Sequence, residues 1–379
     1  MNTAILFLAL VPLAPDPDIR VKKEIDELIA KLGHPDYKLR EQAAKRLMEI
    51  GPVASEAIKA GQMSSDIEIG ERCKKLYPLL WTLGLEKRLQ KFVNAEGNKD
   101  SEELPLVKKW LDIVGGTKAS RELYANMVRA HSDKLKTVEE QPDRGPTVLA
   151  EFAKLVYVRS TGASAVKATS LLGEQDVSLF MFLGAVGEVR RTTLPGMSST
   201  YYYQFLNSEW LTKSLDAETP SKEVRTLFAR WLEKERYSIV IRRSIELAGQ
   251  HKVTECIPVV LKIAGDTNTT PFVRAAALLG FSKLGTKDNL KDLEPFLNDT
   301  LHLANVTVNG VSTKVQMGDV ALGTALLLTG QSPKEFGFER EPPTIGTLTS
   351  YTYYGFSSDE KREAAHQKWK DWAKVNLKK

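Results

Sequence analysis

Asp266-Thr-Asn-Thr-Thr-Pro-Phe-Val-Arg-Ala-Ala-Ala-Leu-Leu-Gly-Phe-Ser-Lys-Leu-Gly285, running on to Leu290-Lys-Asp-Leu-Glu-Pro-Phe-Leu-Asn-Asp299, decides the fold. The stretch predicts a helix pair whose small residues, Ala275 to Ala277 and Gly280, let one helix press closely on another. Such a pair cannot bury its apolar face alone, so it is a unit for stacking rather than for chemistry.

Outward from this stretch the unit recurs. Leu39, Ala43, Leu47 and Ile50 mark one helical face, and thirty residues later Ile69, Cys73, Tyr77 and Leu80 repeat its steps of four, four and three. Ahead of them, Ile25, Leu28, Ile29 and Leu32 form the i, i+3, i+4, i+7 stripe of a helix buried along one side. Gly51-Pro52 ends one helix and opens the next, because a proline at the first helical position loses no hydrogen bond. Ile241-Arg242 and Val273-Arg274 lie 32 residues apart, and Asp266 and Asp299 lie 33 apart. A period of about 30 to 35 residues belongs to helical-repeat arrays, so the expected fold is all-α, an α-solenoid of helix pairs.

The pattern of Asp, a short spacer, Val-Arg, Ala-Ala, then Leu and Gly resembles the HEAT-like repeat family, best at Asp36 to Leu47 and Asp266 to Gly285. The resemblance covers residues 25–80 and 222–299. Trp110 to Arg129, Asp319 to Gln331 and Phe356 to Trp372 further resemble secreted bacterial proteins that carry HEAT-like helices, a group with no assigned activity. What this resemblance implies is an architecture, not a reaction.

Composition agrees. At 379 residues and 42% hydrophobic, the chain is long enough for two or more cores, or for one stack whose units touch only their neighbours. The formal net charge of +5 is far from the basic excess of a dedicated nucleic-acid binder. Ala4 to Ala14 is an apolar run too short to span a bilayer, which takes about 20 residues, and Pro15-Asp16-Pro17-Asp18 follows at once. Residues 1–15 therefore read as a signal-peptide-like segment, and the chain is expected to be exported, periplasmic or extracellular. Against this, Met1-Asn2-Thr3 carries no Lys or Arg, and Pro15 follows the best cleavage site. Cys73 and Cys256 fall in distant repeats and are expected to be buried thiols rather than a disulfide.

Asn94 to Glu103 and Glu139 to Pro146 read as linkers or long turns. They divide the chain into repeats at 22–92, a helical connector at 104–138, a helical unit with an aromatic loop at 146–221, repeats at 222–299, and a hairpin with a helical cap at 300–379. The segments 146–231 and 291–372 look like copies of each other. Leu149 and Phe152 match Leu293 and Phe296 at an offset of 144, and Asp176-Val177, Leu179 and Leu183 match Asp319-Val320, Leu322 and Leu326 at 143. Leu303 to Val308 and Val311 to Met317 alternate apolar and polar residues around Asn309-Gly310, a hairpin signal because both turn positions need positive φ. That hairpin is expected to project from the helices, with Asp319 capping the next helix and Gly330 ending it.

Chemistry leaves little trace. His34, His131, His251, His302 and His366 include no pair at the spacing of a helical metal site, and no His-Glu-x-x-His or paired Cys-x-x-Cys occurs. Gly115-Gly116-Thr117-Lys118 lacks the order of a phosphate loop and reads as a helix-ending turn. Ser164-Ala-Val-Lys167 has the Ser-x-x-Lys spacing that activates a serine, but the companion motifs are missing. No cofactor, no metal, no small-molecule substrate and no catalysis are expected.

Three features remain as binding candidates. From Lys222 to Lys262 nine cationic residues, including Arg242 and Arg243, face five glutamates, either as a salt-bridged solvent face or as an anion or nucleic-acid site. A helix from Asp359 carries Ala365, Trp369 and Trp372 on one side among lysines, fit to cap the last repeat or to rest on an anionic membrane. Tyr201, Tyr202 and Tyr203, with Tyr351, Tyr353 and Tyr354, fall in loop-like sequence, where tyrosines either cover helix ends or supply amphipathic contact area. The sequence therefore points to a non-catalytic protein-interaction scaffold with another protein as partner. A HEAT-like nucleic-acid-binding or base-repair protein working through 222–262 is the alternative.

Overall fold

The computed structural model describes residues 17–95, 104–161, 172–187, 200–216, 221–308, 310–340 and 350–377. It is 77% helix, with sixteen α-helices and one two-stranded sheet among the described residues. The signal-peptide-like segment and the Ser164/Lys167 pair lie outside the described residues. No described helix is long and apolar enough to cross a membrane. The chain forms two compact units, residues 1–95 and 96–379.

The first unit holds α1 (Pro17–Lys31), α2 (Tyr37–Ile50), α3 (Ser55–Gly61) and α4 (Ile67–Asn94). The sequence periodicity is realised in its core: Leu32, Leu47, Ile58, Cys73 and Leu80 are fully buried, with Ile29, Ile50, Ile69 and Tyr77 packed around them. Each fully buried leucine of this kind stabilises the fold by about 1.5–3 kcal/mol. The thirty-residue repeat extends to the turns. Asp36 caps α2 by accepting the Lys38 N–H, and Asp66 caps α4 by accepting those of Glu68 and Ile69. Gly51 ends α2 at φ +80°, and Pro52 follows in a 3₁₀ turn. Gly61 lets the end of α3 touch α4, since a Cβ there would stand 2.7 Å from Cys73 Sγ.

The second unit contains α5 (Val107–Val114), α6 (Lys118–Glu140), α7 (Gly145–Thr161), α8 (Glu174–Val186), α9 (Thr200–Leu206), α10 (Glu209–Leu215), α11 (Lys222–Lys234), α12 (Ser238–Gln250), α13 (Ile257–Gly265), α14 (Pro271–Leu284), α15 (Met317–Leu328) and α16 (Asp359–Asn376). One feature recurs through both units. Arg40, Arg121 and Arg274 are each the fourth residue of a helix and donate to carbonyls of the chain just before it: His34 and Pro35, Gly116, and Ala264 respectively. Arg225, the fourth residue of α11, donates instead to Lys252 O and Glu255. These guanidinium groups, buried except for the half-buried Arg40, satisfy carbonyls at helix–helix turns.

Several expectations need correction. Residues 266–299 are not a pair of α-helices: α14 is followed by a 3₁₀ run, Lys287–Phe296, and its α-helical partners are α12, α13 and α15. Lys287–Phe296 carries Pro295, whose missing N–H opposes an α-helix. Arg242 does not match Arg274, because Arg274 is buried against Ala264 while Arg242 is exposed. The expected linker at 139–146 is a tight turn, since α6 runs to Glu140 and Pro142–Arg144 leads straight into α7. Ser358 rather than Asp359 caps α16.

The hairpin forms as expected, β1 (His302–Val308) against antiparallel β2 (Val311–Gln316), with Gly310 at φ +79°. It does not simply project. Thr313 and Val315 are buried, and Lys314 pairs through its backbone with Phe356. α15 starts at Met317, so Asp319 caps from the third helical position, where its Oδ2 accepts the Gln316 N–H; Asp176 accepts the Gly173 N–H in the same way at the start of α8. The two proposed copies thus share this aspartate bond back to the residue before the helix, and Leu179 and Leu322 are both fully buried. On α16, Trp369 is buried against Phe336 and stacks on Trp372 at 5.3 Å, a docked helix.

Candidate interaction surface

Arg242 on α12 and Phe272 at the start of α14 lie on neighbouring helices. Pro271 fixes the first turn of α14 and leaves its second residue, Phe272, on the outside. Phe272 remains 40% exposed, and Ile239, one turn before Arg242, is 51% exposed. The Arg242 guanidinium carbon stands 5.5 Å from the Phe272 ring centroid. Phe272 also meets Tyr351 edge-on, with centroids 5.8 Å apart at 70°. Tyr351 opens a 3₁₀ turn, Tyr351–Tyr353, capped by the Ser350 hydroxyl, which accepts the Thr352 N–H. Arg340 holds that turn, donating to Thr352 O at 2.9 Å and lying 4.6 Å over the Tyr353 ring.

Cations over ring faces and edge-to-face rings each add about 0.5–1.5 kcal/mol beyond area burial, so the cluster is set in place before any partner arrives. The chain neighbours Ile241 and Thr270 line an adjoining groove of about 380 Å³ with Val259 and Ile263 in its lining. At its edge Lys262 donates to Glu233 at 2.9 Å, and that hydrogen bond holds the Glu233 carboxyl below its ordinary value against the effect of burial. Asp266, held low by the Asn268 N–H, lines the same groove. Both carboxylates are ionised at neutral pH.

Five of the nine cations in the basic stretch from Lys222 to Lys262 are paired with glutamates. Arg225 pairs with Glu255 at 2.8 Å, Lys262 and Arg230 with Glu233 at 2.9 and 3.5 Å, and Arg242 and Arg243 with Glu246 at 3.6 and 3.4 Å. Arg243 also donates to Asn207. Arg242 and Arg243 therefore separate in role: Arg243 ties α12 to the turn after α9, and Arg242 faces outward over Phe272.

The tyrosines separate as well. Tyr201, Tyr202 and Tyr203 are not in a loop but in α9, and Tyr202 is buried against Phe180 and Tyr237. Tyr201 packs on Tyr157 at 4.9 Å. Tyr354 is fully buried over Gly323, with Phe338 edge-on to it. Core rings offer no area to a partner, so Tyr202 and Tyr354 are corrected to structural residues, while Tyr351 and Tyr353 stand at the surface turn. Phe272, Ile239 and Arg340 were missed by sequence reasoning. A phenylalanine directly after Thr-Pro at a helix start, where a polar residue is usual, was the available signal for the first.

Cys256 and Cys73 are buried free thiols, and burial pushes both above the ordinary thiol value. Among the described residues no group of three His, Cys, Asp or Glu side chains is placed to hold a metal ion. Comparison with protein-family models, with curated proteins and with solved structures returned no match.

Proposed function

We propose that the protein is an exported, HEAT-like helical-repeat scaffold that binds another protein through the surface formed by Arg242, Phe272 and Tyr351. The carrying observation is Phe272. A large ring 40% exposed at a helix start, in contact with an arginine and a tyrosine, is not explained by the core beneath it. Exposed aromatic and arginine residues are what protein interfaces concentrate. The repeated Asp36 and Asp66 caps and the fourth-position arginines support a stack of similar helix pairs. Pairing of Arg225, Arg230, Arg242, Arg243 and Lys262 with glutamates leaves four of the nine cations at 222–262 for phosphates, which supports a protein partner over a nucleic acid.

The test is partner binding by wild type and by Phe272→Ser, with melting temperatures measured in parallel. The reading expects binding to weaken by about 1–4 kcal/mol while melting falls by less than the loss of a buried ring would cause. Equal binding by the two proteins contradicts it.

A further inference from the structure

The first unit carries an exposed apolar edge of its own. α1 gives way to α2 through the turn 32–36, and α3 gives way to α4 through the turn 62–66. The two turns pack together, since a Cβ on Gly33 would stand 2.7 Å from Asp66 Oδ2 and 2.9 Å from Ile69 Cγ1. Arg40 pairs with Glu68 at 3.2 Å and Arg72 with Glu41 at 2.9 Å, which holds the starts of α2 and α4 side by side. Tyr37 and Ile67 are the first residues of those two helices, thirty apart as the repeat requires, so they stand on one edge with Met63 of the second turn. At 61%, 82% and 89% exposed, none of the three fills the core.

The charges at this edge divide by sign. In the last turns of α1 and α3, the two connecting turns and the first turns of α2 and α4, the carboxylates are Asp36, Asp66 and Glu68. All three are engaged: Asp36 and Asp66 accept the N–H groups that open α2 and α4, and Glu68 pairs with Arg40 and Arg72. Lys31 ends α1, Lys59 lies in the last turn of α3 and Lys38 is the second residue of α2. These lysines are exposed, with no ion pair among the described residues, so the free charges of the edge are all positive. Lysine is depleted at protein interfaces. At a bilayer surface its aliphatic stem lies along apolar matter while the ammonium meets lipid phosphate. Tyrosine and aliphatic side chains beside such lysines suit the boundary between headgroups and acyl chains.

We propose that this edge rests on an anionic bilayer surface, with Met63 and Ile67 entering the acyl boundary, Tyr37 at headgroup level and Lys31, Lys38 and Lys59 on the phosphates. No residue of the Arg242–Phe272–Tyr351 surface takes part. Co-sedimentation of the full chain with vesicles tests it, comparing a mixture of phosphatidylglycerol and phosphatidylcholine with phosphatidylcholine alone. Binding to the anionic vesicles is expected to be about tenfold or more tighter than to the neutral ones. Met63→Ser combined with Ile67→Ser should weaken it about tenfold or more, and each of Lys31→Gln, Lys38→Gln and Lys59→Gln about fivefold. Val53→Ser removes a side chain 70% exposed at the opposite end of α2 and should bind as wild type does. All these positions are exposed and the variants are expected to fold, which melting temperatures verify. Tyr37→Trp adds a direct reading, because its emission should shift to the blue when anionic vesicles are added. Absence of sedimentation with anionic vesicles overturns the proposal and leaves the edge to a protein partner. So does binding that the Met63→Ser, Ile67→Ser variant retains in full, or a loss as large in Val53→Ser.

Discussion

The guanidinium of Arg242 stands 5.5 Å from the ring of Phe272, across the seam between two neighbouring helices. Neither residue is needed to fill the core, and each restrains the other. Arg242 is also 3.6 Å from Glu246, so its charge is partly balanced while its planar face stays with the ring. Replacing Tyr351 by Ser removes one such ring contact and is expected to cost about 0.5–1.5 kcal/mol, and replacing Phe272 by Ser removes two and is expected to cost about 1–2.5 kcal/mol, both less than a buried ring. Thermal denaturation of the two variants checks this.

Tyr202 and Tyr354 should behave in the opposite way. Each is a buried ring, and truncation to Ser leaves a cavity costing about 3–5 kcal/mol. At roughly 2–4 °C per kcal/mol the melting transition should fall by about 6 °C or more for each. A drop under 2 °C for both would place these rings at the surface.

Gly323 is the close-approach point of α15 to Tyr354, and a Cβ there would collide with the ring. Gly323→Ala should cost about 1–3 kcal/mol by overpacking. Combining it with Tyr354→Leu should recover part of that loss. A double mutant as unstable as the sum of the singles would show that the two positions do not touch.

His251, at the end of α12, supplies a pH dependence. Burial, reinforced by Arg225 and Arg243 and opposed by Asp216, holds it below its ordinary value of 6.5. The folded state therefore binds the proton less readily than the unfolded chain. Its stabilising contribution is full above about pH 6.5 and is lost as pH falls through the depressed folded value. Chemical denaturation at pH 7.5 and pH 5.5 should show a loss at the lower pH that is smaller in His251→Asn. An identical loss in both proteins would assign the effect to other groups.

Residues 1–24 carry the export expectation. Fused to a reporter active only outside the cytoplasm, they should give activity well above a fusion lacking them. Equal activity removes the localisation part of the proposal.

The helices were legible because the 3.6-residue pattern is a local signal. Ile25, Leu28 and Leu32, and Ala43 and Leu47, are buried where the stripe requires them, whereas Leu39, the first member of the α2 stripe, lies exposed at 38%. The hairpin was legible because Asn309-Gly310 encodes its own backbone angles. The tyrosines were not, because Tyr201-Tyr-Tyr has no period: only the partners Phe180 and Tyr237, 22 and 35 residues from Tyr202, make it a core residue. The 3₁₀ run at 287–296 is not legible from spacing, because Leu290 and Leu293 suit either helix type and Pro295 is the local sign against an α-helix. The exposed cluster was half legible. Arg242 and Tyr351 were singled out from charge and composition, but Phe272 joins them only through the packing of α14 beside α12 and the 3₁₀ turn at Tyr351.

Photo-crosslinking from the cluster itself tests the central claim most directly. With p-benzoylphenylalanine in place of Phe272, the proposal predicts one discrete protein adduct in the native compartment, abolished by Arg242→Glu and absent when the probe replaces Val375. No adduct from position 272, or the same adducts from both positions, would contradict a docking role for this surface.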